Sequence, residues 1–190
     1  MSRENAREIL GFSSDKPVVA VIGGSQGSRA INDTFREALP LLRENQDIHI
    51  FWQTGQYQYE ALRDFAQDNI TIVPFTDKMG AVYSAADLII SRAGAMTLSE
   101  ITACGKPSLL IPFPGAAADH QTKNAESLAE KGAAKVIPEV ELTSDKLAEE
   151  TGRLLADAEL LGKMANAARD AAILDAADQI ANEIIRLAQA

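Results

Sequence analysis

Cysteine is almost missing from this 190-residue chain. Cys104 is the only one, which excludes an internal disulfide and any cysteine-rich metal cluster and is compatible with a reducing compartment. It stands in Ile101-Thr102-Ala103-Cys104-Gly105 at a predicted helix end, where it reads as a buried small hydrophobe rather than a nucleophile. Positive charge is also short. The chain carries 18 Lys and Arg against 27 Asp and Glu, a net charge of −9. Nucleic-acid binders need an excess of basic residues to displace counterions from phosphates, so that class is excluded. Any phosphate site must be local and built from backbone N–H groups and helix ends. No apolar run approaches the roughly 20 residues that span a bilayer. The opening residues 1–10 form a charged helical pattern, not a signal peptide. A cytoplasmic domain with no direct membrane insertion is therefore expected.

The apolar content of 46% and charged content of 24% are those of an ordinary globular protein. The length suits one domain with a substantial core, so residues 1–190 are read as a single domain. Its most informative stretch is Val18-Val19-Ala20-Val21-Ile22-Gly23-Gly24-Ser25-Gln26-Gly27-Ser28-Arg29. A β-branched run of this kind reads as a buried parallel strand. The glycines that follow allow positive φ and close backbone approach, and the next helix offers unpaired N–H groups and a positive dipole end to an anion. The alternative is a tight turn without a ligand. No Gly-Lys-Ser/Thr and no Gly-x-Gly-x-x-Gly is present, which counts against triphosphate hydrolysis and ordinary dinucleotide binding.

Apolar runs alternate with helical patterns through most of the chain, the mark of parallel α/β architecture. Strands are predicted at 18–22, 48–52, 70–74, 88–90, 108–111 and 134–137, and helices at 30–44, 56–67, 79–85, 95–104 and 119–130. Residues 143 to the end read as helical, capped at Thr143 or Ser144 and broken near Asp157 and Leu174. Tyr59, Leu62 and Phe65 are placed toward the core, Gly105 at a helix C-cap and Asp119 at an N-cap. The expected object is a Rossmann-like parallel sheet of about six strands with helices on both faces, which binds ligands beyond the strands' carboxyl ends. Three loops there hold site-like residues: 23–29, 91–100 and 112–124.

Within the second loop, Glu100 lies about one turn beyond Thr97 on the same helix face. Two readings stand: a carboxylate that accepts from both hydroxyls of a ribose, or a first-turn acid that complements the helix dipole. In Asp119-His120-Gln121-Thr122-Lys123-Asn124, His120 can accept a proton or donate to a ligand. No Ser, Cys or carboxylate pairing spells a triad around it. His49, inside a strand, reads as structural or superficial. No paired-carboxylate spacing, metal-ligand spacing or Asp-x-Asp is present, so no catalytic residue, metal or cofactor is assigned.

Gly23-Gly24-Ser25-Gln26-Gly27-Ser28-Arg29, Arg92-Ala93-Gly94-Ala95-Met96-Thr97-x-x-Glu100 and Asp119-His120-Gln121-x-x-Asn124-Ala125, in this order, resemble the MurG family of UDP-N-acetylglucosamine:undecaprenyl-pyrophosphoryl-muramoyl-pentapeptide N-acetylglucosaminyltransferases. The resemblance spans essentially the whole chain but only the C-terminal half of such an enzyme. It implies a GT-B fold with the active site between two Rossmann-like domains, and a domain here that holds UDP-GlcNAc. Gly24, Ser25, Gln26 and Gly27 would then form the diphosphate loop, with Ser25 and Gln26 in contact with diphosphate and nucleotide. Phe75, Thr76 and Met79 would wall the uracil, Glu100 would bind the ribose, Ala95 would offer its N–H near the sugar, and His120 and Gln121 would bond GlcNAc. Gly115 departs from the family pattern, in which a larger residue is common.

The N-terminal domain, with the acceptor site, the catalytic base and the membrane-facing patch, is expected to be absent and supplied in cis or trans. The full enzyme would sit peripherally on the cytoplasmic face of the inner membrane and convert lipid I to lipid II, while the isolated domain would bind UDP-GlcNAc or UDP without transfer. The alternatives are a subunit of a split glycosyltransferase that needs a partner chain, and an engineered chain without selected activity.

Overall fold

The computed structural model describes residues 1–13, 15–24, 26–45 and 47–189. In chain order its elements are α1 (Arg3–Leu10), β1 (Val18–Ile22), α2 (Arg29–Asn45), β2 (His49–Gln53), α3 (Tyr59–Leu62), β3 (Ile70–Val73), α4 (Met79–Ala85), β4 (Leu88–Ser91), α5 (Ala95–Ala103), β5 (Ser108–Leu110), α6 (His120–Glu130), β6 (Ala134–Val136), α7 (Ser144–Ala156), α8 (Ala158–Asp170) and α9 (Ala176–Ala188). Short 3₁₀ turns precede α6 and follow α3 and β6.

The six strands are parallel and ordered β3-β2-β1-β4-β5-β6. The order reverses between β1 and β4, whose pairing sets Val21 opposite Ile90. In such a sheet the crevice beyond this reversal is where a ligand is received.

The β-branched runs are buried because both faces of the sheet are covered. Along β1, Val19 and Val21 enter one apolar layer with Ile31, Phe35 and Leu39 of α2 and Leu147 and Leu154 of α7. Val18, Ala20 and Ile22 enter the other, with Val82 of α4, Leu98 and Ile101 of α5 and Leu128 of α6. This is the period-two alternation of a strand, with both sets apolar. Each large side chain so buried contributes about 1.5–3 kcal/mol. The Rossmann-like sheet predicted from the sequence is thus present, with six parallel strands and helices on both faces.

Several local expectations are corrected. The helix predicted over 56–67 lasts only from Tyr59 to Leu62, and a 3₁₀ turn then ends at Phe65, which is 39% exposed rather than in the core. The chain must turn back at once, because the Gln67 and Ile70 backbones bond each other across a tight reversal into β3. Cys104 is exposed, since it falls one residue past α5 at the C-cap. Desolvation still pushes its thiol pKa up, so it carries no activated thiolate. The left-handed turn expected at the end of α5 is made by Gly105, at φ +59°.

The helical end divides as predicted, with the Thr143 side chain accepting from Lys146 N and Asp157 from Leu160 N. α9 buries none of its residues, and Ile180, Ile184, Ile185 and Leu187 are exposed. Among the described residues no helix is long and apolar enough to cross a membrane.

Candidate functional site

The glycine-rich turn after β1 is shaped by its neighbour after β2. Gly27 stands at φ +78° and Gly55 at φ +77°, with their backbones in direct contact. A Cβ on Gly27 would lie 2.2 Å from the Thr54 carbonyl oxygen, and one on Gly55 would lie 2.3 Å from Gly27 N. Only glycine permits this approach. Gly24, at φ +79°, faces open space and is needed for its backbone angle alone. Gly23 N donates to the Gln53 carbonyl at 3.1 Å, and Gln53 Nε2 donates to the Gly24 carbonyl at 3.2 Å.

Beneath the turn Asn32 is wholly buried and satisfied: its Nδ2 donates to Thr54 O and Gln58 Oε1, and its Oδ1 accepts from Trp52 Nε1 at 2.9 Å. Sequence reasoning missed this support, since its partners lie more than twenty residues away or on another element. Ser25 lies outside the described residues, and Gln26 is exposed at the tip of the turn.

The turns after β4 and β5 are tied to each other. Gln121 Oε1 accepts from Ala93 N at 3.2 Å and from Phe113 N at 3.1 Å, and Asn124 Nδ2 donates to Ala93 O. Arg92 donates from Nη1 to the carbonyls of Ile111 and Pro112, pairs through Nη2 with Glu139, and sits over the Phe113 ring, 5.4 Å from its centroid. A Cβ on Gly115 would come within 2.7 Å of that ring, so the small residue noted in the sequence leaves room for Phe113.

A cavity of ≈ 670 Å³ is lined by Gly27, Ser28, Arg29, Ala30 and Asp33 on one side and Arg92, Phe113, Gln121 and Glu139 on the other. The first turn therefore meets the other two across one crevice. Its lining holds two cations, Arg29 and Arg92, and two carboxylates, Asp33 and Glu139. With side-chain charge balanced, attraction for an anion falls to the helix ends. α2 opens on the cavity with no acidic residue in its first turn; α5, which follows the turn that carries Arg92, has neither a first-turn acid nor a side-chain cap, and none of its residues is in the cavity lining.

Of the candidate residues, Gly27 and Gln121 line this cavity. Ala95 is exposed as the first residue of α5. Phe75 is exposed before α4, Thr76 accepts from Lys78 N through Oγ1, and Met79 is half-buried at the first position of α4.

Glu100 is the sixth residue of α5, so it is not in the first turn, and the dipole-complement reading fails. Its Oε2 instead accepts from the hydroxyl of Tyr83 on α4 at 2.8 Å. Tyr83, which the sequence did not single out, stands one turn after Met79 on the same helix face. Burial first, and the bond to Glu100 second, push its pKa far above the usual phenol value, so it remains a donor.

His120 is exposed and its Nδ1 lies 2.8 Å from the Ala117 carbonyl. A carbonyl only accepts, so Nδ1 carries a proton toward it, and the tautomer with that proton leaves Nε2 as the acceptor. Ala118 and Asp119, just before it, both have positive φ, 49° and 55°, which the sequence did not reveal. Asp119 therefore precedes α6 without capping it, and its carboxylate accepts from Thr122 Oγ1. Such strained backbone costs about 1–3 kcal/mol per residue and gathers at functional sites. His49, by contrast, is buried at the opposite end of β2. It stacks on Phe12, and Nε2 accepts from Ser13 N.

Comparison with known proteins shows the family and the fold. Residues 18–180 match the model of the glycosyltransferase family 28 C-terminal domain. The chain is 43% identical over 186 residues to the UDP-N-acetylglucosamine--N-acetylmuramyl-(pentapeptide) pyrophosphoryl-undecaprenol N-acetylglucosamine transferase of Salinibacter ruber, covering 96% of this chain and 50% of that protein. It is 40% identical over 190 residues to the enzyme of the same name from Acetivibrio thermocellus, covering 98% and 51%. The crystal structure of Acinetobacter baumannii MurG superposes with a TM-score of 0.80 at 36% identity, covering 98% of this chain and 53% of that one. The chain thus spans about half the length of these relatives. A matching family model, MurG relatives and a crevice at the sheet's reversal agree: the chain belongs to the glycosyltransferase family 28 C-terminal domains and is MurG-like.

Proposed function

We propose that this chain is the donor-binding domain of a MurG-like inverting N-acetylglucosaminyltransferase and holds UDP-GlcNAc in the crevice between β1 and β4. The observation that carries this reading is the start of α2, without a first-turn acid, on a cavity that it shares with Arg92 and Phe113 of the turns after β4 and β5 and with Gln121 of α6. The N–H groups and dipole of α2 suit a diphosphate in a chain whose net charge is −9. The exposed Phe75 and the half-buried Thr76 and Met79 suit the uracil, Glu100 the ribose hydroxyls, and Ala95 N, His120 Nε2 and the Gln121 amide group the sugar.

In the transfer, the C4 hydroxyl oxygen of the muramoyl sugar on lipid I forms a bond to the anomeric carbon of GlcNAc. The bond from that carbon to the diphosphate breaks, and UDP leaves with the electron pair. The hydroxyl proton passes to a base outside these 190 residues. Preorganised helix ends would stabilise the charge that develops on the leaving diphosphate.

Calorimetric titration with UDP-GlcNAc, UDP and UDP-GalNAc tests the reading. UDP-GlcNAc and UDP are expected to bind, and the isolated chain is expected to transfer little or nothing. Glu100→Ala should weaken binding by about 1–3 kcal/mol, the cost of leaving polar partners unmade. No heat with either uridine ligand, or lipid II formation by this chain alone at rates near those of a two-domain enzyme, would overturn it.

A further inference from the structure

Tyr83 and Glu100 join two helices, α4 and α5. α4 starts at the Phe75–Met79 wall, and α5 starts at the turn after β4. The Tyr83 ring is 3% exposed and packs in one apolar layer with Val82, Leu98, Ile101 and, at its edge, Met79. Glu100 is exposed, so water could satisfy its carboxylate without help from a tyrosine. The bond at 2.8 Å is therefore not the rescue of a buried charge. Its effect is on freedom. A solvent-facing glutamate samples several rotamers, and a ligand that needs one of them must bear the ordering cost. The phenol has a single proton, which goes to Oε2 and leaves Oε1 to receive other donors.

We propose that Tyr83 is a positioning residue that holds Glu100 in the orientation that accepts the ribose hydroxyls of a uridine diphosphate, and so links the base wall on α4 to the sugar-binding carboxylate on α5. This rests on the donor-site reading above. A purely architectural role for the hydroxyl is the competing account, and the two differ in what they predict for ligands without ribose hydroxyls. Tyr83→Phe keeps the ring in the core, and the partner it abandons is exposed and can hydrate, so the fold is retained.

The 190-residue chain is titrated with UDP and with 2′,3′-dideoxy-UDP. The unsubstituted chain is expected to prefer UDP. Tyr83→Phe should weaken UDP on the order of tenfold, the range of one hydrogen bond, and leave the dideoxy ligand unchanged. In a Glu100→Ala background the same substitution should add no further loss. Tyr83→p-aminophenylalanine, which restores an N–H donor at the same place, should recover most of the UDP affinity. Equal losses for both ligands, no loss for either, or an undiminished loss in the Glu100→Ala background would overturn the positioning role and leave the donor site standing. If the unsubstituted chain binds neither ligand, the donor-site reading fails and this proposal falls with it. If it binds both alike, the nucleotide site survives but the ribose role of Glu100, and Tyr83's with it, does not.

Discussion

Gln121 holds Ala93: the side-chain carbonyl of the first, on α6, accepts from the backbone N–H of the second, just past β4, at 3.2 Å. The same oxygen accepts from Phe113 N. One amide oxygen thus fastens two of the three turns of the crevice.

Substitutions at Gln121 should separate this duty from the proposed sugar contact. Gln121→Ala leaves two backbone donors without their acceptor and should lower stability by about 1–2 kcal/mol, besides weakening UDP-GlcNAc more than UDP. Gln121→Glu keeps an acceptor in place and removes the NH₂ group. It should unfold near the parent temperature yet lose the preference for UDP-GlcNAc over UDP. An unchanged affinity ratio in Gln121→Glu would remove this side chain from the sugar subsite.

The glycines of the first turn should not respond alike. Gly27→Ala forces a Cβ against the Thr54 carbonyl and adds left-handed strain, so the two turns must separate. The expected cost is about 3 kcal/mol or more, together with loss of nucleotide binding. Gly24→Ala meets no atom within 4 Å and should cost only about 1–2 kcal/mol for its backbone angle. Chemical denaturation of both variants is the measurement. Equal costs would mean that contact between the turns is not what selects glycine at 27.

Asp87 anchors α1 to the start of β4. It accepts from the buried Arg7 at 2.7 Å and from Val18 N at 2.8 Å, and pairs with the half-exposed Arg3. Asp87→Ala removes the carboxylate that balances the charge of a guanidinium 2% exposed, which keeps the carbonyls of Ala85, Ser13 and Lys16 as acceptors, and should cost about 3 kcal/mol. Arg3→Ala removes only a solvated pair, worth about 0–1 kcal/mol. Denaturant midpoints that ranked these two the other way would contradict the assignment of Arg7 as the buried partner.

His49 should make the fold acid-sensitive. Burial first, then the nearby Lys16 and Arg7, depress its folded pKa below the ordinary 6.5, against the opposing pull of Asp15 and Asp47. Above pH 6.5 the ring is neutral in both states and its contribution is intact. As the pH falls below 6.5 the unfolded chain takes up a proton that the folded chain refuses, and stability is lost as the pH approaches and passes the folded value. Replacement by glutamine should flatten the fall in unfolding temperature between about pH 7 and 5. An identical slope in His49→Gln would assign the acid sensitivity to other groups.

How much of this was legible in the sequence depends on the range of the interaction. The run Val18-Val19-Ala20-Val21-Ile22, the caps at Thr143 and Asp157 and the loops gathered at one sheet edge rest on local pattern, and local pattern determines them. Phe65 and Cys104 were misplaced because their exposure depends on where a helix stops, and a competing turn or cap decides that. Glu100 could be marked as a candidate, but its place beyond the first turn of α5 and its bond to the hydroxyl of Tyr83 depend on where that helix starts and on a residue of another helix.

By itself, then, the sequence determined the parallel α/β class, the glycine turn after β1 and the family resemblance, because hydrophobic period, backbone freedom and motif order are written along the chain. Tertiary structure alone decided that Gly27 must touch Gly55, that Gln121 clasps two turns, that Arg92 is paired with Glu139 and that Tyr83 bonds Glu100. Each of these joins residues from different elements. Such pairings are selected by how packed layers bring side chains within hydrogen-bond reach, which no spacing within one segment encodes.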